Sequence, residues 1–306
     1  MTGALFLAQI LNGFQLGVLL FLLSAGLTLV LGIMHCINLA HGSLFMAGAY
    51  LAATVFERTQ SFMLAALAAV TGTLLLGLAV ERMVLAKLYA RDHLYQVLAT
   101  FGIILFFNEA ARVFWGQAPI FMNVPPALDG TIDLFGLAYP AYRFAIIAIG
   151  LAVGLLLYVV IHRTRIGMLI RAGASDAAMV SALGVNIGRL NALVFAAGAA
   201  LAGLAGLMSA PIISVQPGMG EPVLILALVV LITGGIGSIR GAFYGALIVG
   251  AVDTVGRAFL PMALREMLET SLAQAAGPAI ASMLIYLLMA VVLAVRPAGL
   301  FPVRHG

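Results

Sequence analysis

The side chains best able to do chemistry in this sequence are a few polar groups set inside a long apolar run. Asn38, His41 and Ser43, with Gly42 between them, lie within residues 32–53, where almost every neighbour is apolar. An amide or imidazole inside an apolar bundle is costly unless it faces a protein interior or a wet pathway. We therefore predict that these four residues line or gate a polar pathway. Tight helix packing is the alternative, and Ser43 is also a candidate N-cap.

A second run, residues 233–251, is crowded with glycine. Gly234, Gly235 and Gly237 fall within four positions of it, and each glycine weakens a helix by about 1 kcal/mol relative to alanine. Such glycines are tolerated where a helix is interrupted or where two backbones approach closely. Because interrupted segments in both halves of a chain indicate a translocation path, we predict that these glycines belong to the same pathway. Packing alone remains the alternative.

Catalytic and metal-binding patterns are missing from the sequence. His35 and His41 are six positions apart, so they do not share a helix face, and no H-E-x-x-H, G-x-S-x-G or G-x-x-x-x-G-K-[ST] motif occurs. Lys87, the only lysine, follows no glycine-rich loop. We therefore expect a protein that is not an enzyme, with no metal, no cofactor and no ATP hydrolysis of its own.

The composition requires a membrane environment. Hydrophobic residues make up 64% of the chain and charged residues 8%, with a mean hydropathy of +1.17, against about 45–50% and 25% in soluble domains. The apolar runs do not alternate as barrel strands would, so they predict helices. We expect an all-α, polytopic transmembrane bundle forming a single domain over residues 1–306. The formal charge is +4, but in a membrane protein basic residues mainly mark the loops that stay in the cytoplasm. Nucleic acid is therefore not an expected partner.

Allowing about 20 residues per span, the sequence predicts about 8–10 spans with interrupted helices. The nine segments lie near residues 7–33, 42–56, 61–80, 97–114, 141–161, 190–210, 222–238, 241–259 and 276–295. The segments 222–238 and 241–259 could also be one broken element and not two crossings. Basic residues mark the cytoplasmic face, which should carry Arg82, Lys87, Arg91, Arg163, Arg165, Arg171, Arg189, Arg240, Arg296 and Arg304. With nine spans, the C-terminus lies inside and the N-terminus outside.

The inner loop, about residues 163–190, contains a short helix that is too polar to span the membrane. The stretch SDAAMVSALG predicts a helix that starts at Ser175, with Asp176 at its positive end and Gly184 as its stop. Three apolar side chains are expected on roughly one face: Met179, Val180 and Leu183. Such a helix either rests on the membrane or docks into another protein.

The outer loop, from Trp115 to Tyr142, is longer than a connector needs. Its turn signals are Pro125-Pro126 and Asp129-Gly130, and a short apolar run between them and Tyr142 predicts a strand or hairpin. This loop either caps the bundle or docks a partner.

An ion-coupled secondary transporter or a channel is the rival function. Its coupling would need acids inside the membrane, and Glu109 and Asp253 are the candidates, both near span ends.

Three stretches of the sequence resemble one transporter family. They are GLTLVLGIMHCINLAHGSLFMAGAY, VLITGGIGSIRGAFYGALIVG and VRPAGLFP. Together they resemble the branched-chain amino acid permeases of ATP-binding-cassette importers, in particular the smaller of the two paired permeases. The resemblance runs from about Gly13 to Pro302. Asn38, Ala40, His41 and Gly42, and the tail Arg296 to Phe301, match the family's most specific motifs.

The resemblance implies a permease subunit in the inner membrane that moves a small polar solute: a branched-chain amino acid, or a related amino acid, amide or organic acid. It implies ATPase subunits, a second homologous permease and an extracytoplasmic binding protein as partners, with ATP used by the ATPase and membrane lipid all around. The binding protein would meet residues 115–140 and 216–221. ATPase coupling would fall on Asp176, Ala178, Met179 and Gly184. Ala178 stands where the wider superfamily has a glutamate, whereas the glycine six positions on is kept.

Overall fold

The computed structural model describes residues 3–34, 36, 38–89, 91–134, 136–266 and 269–302, and the side chains from residue 6 onward. His35 and Arg304, which the sequence analysis named, lie outside the described residues. Within them are eleven α-helices and one two-stranded hairpin. The helices are α1 (Gly3–Met34), α2 (His41–Thr59), α3 (Phe62–Met83), α4 (His93–Trp115), α5 (Ala141–Arg163), α6 (Arg165–Ser175), α7 (Ala177–Ala182), α8 (Ile187–Ser209), α9 (Gly220–Gly234), α10 (Ile239–Leu264) and α11 (Thr270–Val295).

The helical membrane bundle predicted from the sequence is confirmed. Seven helices are long and apolar enough to cross a membrane: α1, α3, α4, α5, α8, α10 and α11. The other two predicted spans correspond to α2 and α9, with 19 and 15 residues. At 1.5 Å per residue, α9 is about 22 Å long, which is shorter than the roughly 30 Å of a bilayer's hydrocarbon core.

Both predicted interruptions are present. The first separates α1 from α2 between Met34 and His41, and the second separates α9 from α10 between Gly234 and Ile239. The second break therefore lies before Gly241, which belongs to the first turn of α10, and α9 and α10 are separate helices. Gly235 and Gly237 have φ values of 112° and 80°, which side chains other than glycine adopt only with strain.

Two helices form the centre of the bundle. The first, α1, packs against α5, α8, α9 and α10, and the second, α8, packs against α1, α2 and α3. Small residues permit these contacts: a Cβ on Gly26 would lie 2.6 Å from the carbonyl oxygen of Gly198, which is the central residue of α8. Close backbone approach of this kind is how helices associate where lipid supplies no hydrophobic drive. The peripheral helices, α4 and α11, expose most of their apolar side chains.

The outer loop forms the predicted hairpin, with β1 (Thr131–Leu134) antiparallel to β2 (Leu137–Pro140). The two turn signals lie before it and not within it. Pro126 starts a short 3₁₀ turn that ends at Leu128, and Gly130 immediately precedes β1. The hairpin turn itself contains Gly136, whose N–H is bonded to Asp133.

Candidate functional site

The break between α1 and α2 is held by two buried polar side chains. Asn38 and His41 are each 1% exposed. The Oδ1 of Asn38 accepts a hydrogen bond from the backbone N–H of Ala40 at 3.0 Å, and His41 Nε2 donates to the carbonyl oxygen of Leu23 at 3.1 Å. The Asn38 amide nitrogen has no partner among the described residues. These bonds order the break and bring the start of α2 against the middle of α1.

Gly42 and Ser43 lie in the first turn of α2 and are also buried. A Cβ on Gly42 would overlap the carbonyl oxygen of Gly220, the first residue of α9. The starts of the two short helices therefore touch at Gly42 and Gly220. The prediction that Ser43 caps this helix is wrong, because α2 begins two residues earlier at His41 and its N-cap position is Ala40.

The second break lies at the end of the bundle that is predicted to be cytoplasmic, and it carries Gly234, Gly235 and Gly237. Gly234 packs against Gly241, and Gly235 packs against Phe301 of the C-terminal tail. Two hydrogen bonds of 2.9 Å bind that tail, from Leu300 N to Thr233 O and from Phe301 N to Gly234 O. The Arg296–Phe301 motif thus holds the α9–α10 turn in place.

The two breaks approach each other through α1. Gly32 lies in the last turn of α1, and a Cβ built on it would be 3.2 Å from Gly237 Cα. Both breaks were predicted to belong to one pathway, and the structure brings the end of α1 near the second break. Whether solute passes them stays a prediction.

The inner loop contains two helices, α6 and α7, where the sequence predicted one. Ser175 ends α6, and the N-cap of α7 is Asp176, whose carboxylate accepts a hydrogen bond from Met179 N at 2.9 Å. The predicted start at Ser175 is therefore wrong by one residue, because Ser175 is still part of α6 and the backbone becomes extended only at Asp176. Gly184 follows the helix with φ of 88°, as expected of a stop.

One face of α7 is open to solvent. Met179 and Leu183 are 60% and 77% exposed, and Ala178 and Asp176 are exposed as well. Val180 is buried, so the prediction that it shares this face is wrong; it packs inward and anchors α7. Two large apolar side chains on a short exposed helix are typical of a docking surface.

A cavity of about 570 Å³ lies at the end of the bundle opposite the second break. The sequence did not predict this site. Its polar wall includes Asp253, which is 7% exposed. The Nε of Arg257 donates to Asp253 Oδ1 at 2.7 Å, and Arg257 Nη2 donates to Ser282 of α11 at 3.0 Å. The i, i+4 spacing of Asp253 and Arg257 is the sequence signal that could have revealed this ion pair.

A second cation lies across the same cavity. Arg143 donates to Asn12 Oδ1 at 2.6 Å, and the Tyr139 hydroxyl donates to the same oxygen at 3.3 Å. Burial raises the pKa of Tyr139 although Arg143 lies nearby, which keeps that hydroxyl a neutral donor. Gln15 and Ser209, both buried, complete the polar wall. The cavity therefore offers cationic, anionic and neutral hydrogen-bonding groups.

Most of the remaining lining residues are apolar. They include six from α1, α2 and α9: Leu16, Leu19, Leu20, Phe45, Val223 and Leu226. Both charge signs on one wall and aliphatic side chains on another suit a small solute with a charged end and an apolar end. Of the predicted pathway residues, Asn38, His41, Gly42 and Ser43 do not line this cavity, although Phe45 of the same helix does.

Other predicted groups are placed differently. The Glu109 carboxylate lies 2.5 Å from Arg112 Nη1, with its side chain 66% exposed at the outer end of α4. Asn108, one residue earlier, donates to Glu221 at 2.6 Å and accepts from Gly218 N at 3.1 Å. Among the described residues, no cluster of three or more His, Cys, Asp or Glu could hold a metal.

The two outer loops predicted to meet a partner are joined. Ile120 and Val215 pair as an antiparallel bridge, with N–H···O distances of 2.8 and 2.9 Å. Together with the Asn108–Glu221 bond, this bridge makes one continuous outer surface from loops that are almost a hundred residues apart in sequence.

Comparison with known proteins agrees with this architecture. The family model described as branched-chain amino acid transport system / permease component matches residues 9–293. The high-affinity branched-chain amino acid transport system permease protein BraD of Pseudomonas aeruginosa is 31% identical over 269 residues, which is 82% of this chain and 86% of BraD. The corresponding LivH protein of Escherichia coli strain K12 is 28% identical over 282 residues, 87% of this chain and 91% of LivH.

A more distant relative is the ribose import permease protein RbsC of Escherichia coli strain K12, 29% identical over 239 residues, which is 76% of this chain and 72% of RbsC. No solved structure matches the chain significantly. The family match covers more than nine-tenths of the sequence, including both helix breaks. The chain therefore belongs to the family of branched-chain amino acid transport system permease components.

Proposed function

We propose that this chain is the permease subunit of an ATP-binding-cassette importer in the inner membrane, and that its solute is a small amino acid with an apolar side chain. The observation that carries the solute class is the outer cavity. Arg257 and Arg143 offer donors for a carboxylate, Asp253 offers an acceptor for an ammonium group, and the apolar wall accommodates a side chain.

The charges of the cavity favour a zwitterion over a sugar. RbsC is named as a ribose import permease, but a neutral sugar carries no charge that could pair with the guanidinium groups or the carboxylate of this cavity. An amino acid can exchange into the Asp253–Arg257 ion pair, its carboxylate replacing one partner and its ammonium the other. Desolvated charges are costly unless paired, so complementary charges on solute and wall favour the amino acid.

The supply of energy comes from other subunits in this proposal. The exposed Met179 of α7 and Leu183, the residue that follows this helix, dock into a cleft on an ATPase subunit, and the joined outer loops receive a binding protein. A second, homologous permease completes the membrane unit. Closure of the ATPase pair moves residues 163–190 as one body, and the bundle alternates between outward and inward access near the two helix breaks.

An ion-coupled secondary transporter is the competing function. It needs a membrane acid that is free to bind and release a cation, and Asp253 is the buried candidate. Its carboxylate is bonded to the guanidinium of Arg257 at 2.7 Å, so a coupling ion would have to displace that guanidinium to reach the carboxylate.

Co-purification is the first test. The tagged chain is extracted from its native cells in mild detergent, and stoichiometric partners are identified by mass spectrometry. We expect a P-loop ATPase and a second hydrophobic permease. Recovery as a lone homo-oligomer would contradict the importer proposal and return attention to Asp253 as a coupling residue.

The solute class has its own test in proteoliposomes that contain the co-purified complex and its binding protein. We expect ATP-dependent uptake of leucine and none of ribose. Asp253→Asn should lower leucine uptake roughly tenfold or more, since a charge-assisted hydrogen bond contributes about 1.5–3 kcal/mol. Glu109→Gln, an exposed acid at the same end of the bundle, is the matched control. Equal uptake by both variants would refute the role of the cavity while leaving the importer assignment intact.

A further inference from the structure

Two neighbouring cavities lie at the inner end of the bundle, where the second helix break is. One has a volume of about 540 Å³ between α1, α5, α6 and the α9–α10 turn. The other, about 570 Å³, lies between that turn and the C-terminal tail. Ser238 and Arg240 belong to both walls, so the two cavities adjoin at these residues and together make the inner site.

The charge of this site has a single sign. Its ionisable side chains are His162, Arg171, Arg240 and Arg296, and none of the residues lining either cavity is Asp or Glu. Arg171 donates to the carbonyl oxygen of Ile161, and the Arg240 guanidinium lies 5.7 Å above the centre of the Tyr158 ring. Within the described ranges, these arginines make no ion pair with an acid. The site is therefore prepared for an anion.

The remaining lining shows what kind of anion fits. Aliphatic side chains cover much of the wall of the 540 Å³ cavity, the groove beside α6: Leu29, Leu31, Ile33, Ile161, Ile170 and Ile239. A free inorganic ion gains nothing from such a wall, whereas an amphiphile buries its hydrocarbon there at about 25 cal/mol per Å². Basic pockets between helices at the cytoplasmic surface are also where anionic lipid headgroups bind.

We propose that this inner site binds the phosphate of an anionic phospholipid from the cytoplasmic leaflet, with one acyl chain against the aliphatic wall. The arginines hold the phosphate, and Arg240, shared by both cavities, lies at the centre of the contact. The proposal concerns binding and does not depend on which solute the chain moves.

Occupancy of the site has a structural consequence for α7. Ile170, Arg171, Ala174 and Ser175 of α6 line the groove, and the next residue, Asp176, caps α7. A lipid bound against α6 restrains the element that positions the exposed docking face. Anionic lipid should therefore stabilise the inner loop.

The test compares the full chain, purified with its accompanying subunits, in nanodiscs of phosphatidylcholine with and without phosphatidylglycerol. Retained lipid is counted by native mass spectrometry, and loop protection at residues 165–185 is followed by hydrogen exchange. Arg240→Gln and Arg171→Gln should each weaken phosphatidylglycerol retention roughly fivefold, as expected from about 1 kcal/mol per basic residue. Arg240→Lys, which keeps the positive charge, should retain most of the phosphatidylglycerol. This variant shows whether the loss in Arg240→Gln comes from the missing charge or from misfolding.

Arg163→Gln and Arg165→Gln are matched controls, because both are exposed on the same side and line neither cavity. They should retain lipid like the parent chain. Equal loss in controls and cavity variants would overturn the site in favour of a diffuse surface charge. Inorganic phosphate added to nanodiscs of pure phosphatidylcholine could protect residues 165–185 from hydrogen exchange as well as phosphatidylglycerol does. That result would show that the site binds free phosphate, and it would overturn the lipid assignment.

Discussion

The imidazole Nε2 of His41 lies 3.1 Å from the carbonyl oxygen of Leu23, beside the point where Gly26 of α1 meets Gly198 of α8. A Cβ on Gly26 would be 3.0 Å from the same nitrogen. Three helices thus meet around one histidine at the centre of the bundle, and the hydrogen bond ties the start of α2 to α1.

Replacing this histidine tests whether the contact serves transport. We expect His41→Leu to insert normally but to lower uptake, because the buried helix start loses a bond whose removal costs about 1–3 kcal/mol. Uptake is measured per unit of membrane-inserted protein. His41→Gln, which keeps a donor, should retain more activity, and Asn38→Leu should behave like His41→Leu. Full uptake by the leucine variants would leave both residues with a packing role only.

The contact between Gly42 and Gly220 makes a second prediction. Gly42→Ala forces a methyl group against the backbone of α9, and overpacking typically costs about 1–3 kcal/mol. We expect a lower midpoint of thermal unfolding in detergent. Gly102→Ala is the control, because a Cβ at Gly102 in α4 meets nothing within 4 Å; that variant should be unchanged or slightly stabilised. Similar midpoints for the two variants would show that the α2–α9 contact is looser than described.

The exposed face of α7 makes a third prediction. Met179→Glu should reduce coupling, so that ATP hydrolysis by the complex no longer drives uptake. Ser181→Glu is the control, since Ser181 is exposed on the opposite side of the same helix. ATPase rate and uptake are measured on the same proteoliposomes. Normal coupling in Met179→Glu would exclude this face as the docking surface.

Gly184 offers a fourth test of the same loop by a different physical route. Its φ of 88° is forbidden to proline, whose ring fixes φ near −65°. Gly184→Pro should therefore displace the end of α7 and uncouple ATP hydrolysis from uptake while the membrane bundle stays folded. Gly188→Ala, at a glycine in the first turn of α8 without positive φ, should have little effect. Unchanged coupling in Gly184→Pro would remove the loop from the mechanism.

The Asp253–Arg257 pair allows a fifth prediction by double substitution. Arg257→Gln leaves the carboxylate of Asp253, 7% exposed, without its cation. We expect a loss of thermal stability between the small effect of an exposed pair and the roughly 3–5 kcal/mol of a fully buried one. Asp253→Asn with Arg257→Gln should recover stability but not uptake. If the double variant recovered both thermal stability and uptake, the Asp253–Arg257 pair would serve folding alone.

Much of the fold followed from local sequence. Long apolar runs with few charges are compatible only with helices in lipid, so each of the nine predicted spans has its helix, and the glycines at Gly235 and Gly237 marked a real break. The Asp176 and Gly184 signals also located α7 to within one residue. A helix start and a helix stop depend on the residues next to them, so these two signals also showed that α7 is short.

The sites depended on relations that no local pattern contains. Asp253, Arg143 and Gln15 are more than a hundred residues apart, and only helix packing makes them one cavity wall. Val180 is buried because α7 packs against α6 and α8, and the periodicity of six residues cannot reveal that contact. The sequence determined by itself that the chain crosses a membrane, and where its helices break, because both follow from the hydropathy and backbone freedom of neighbouring residues. The tertiary structure alone decided which charges share a cavity and which glycines touch, because both arise from contacts between distant segments.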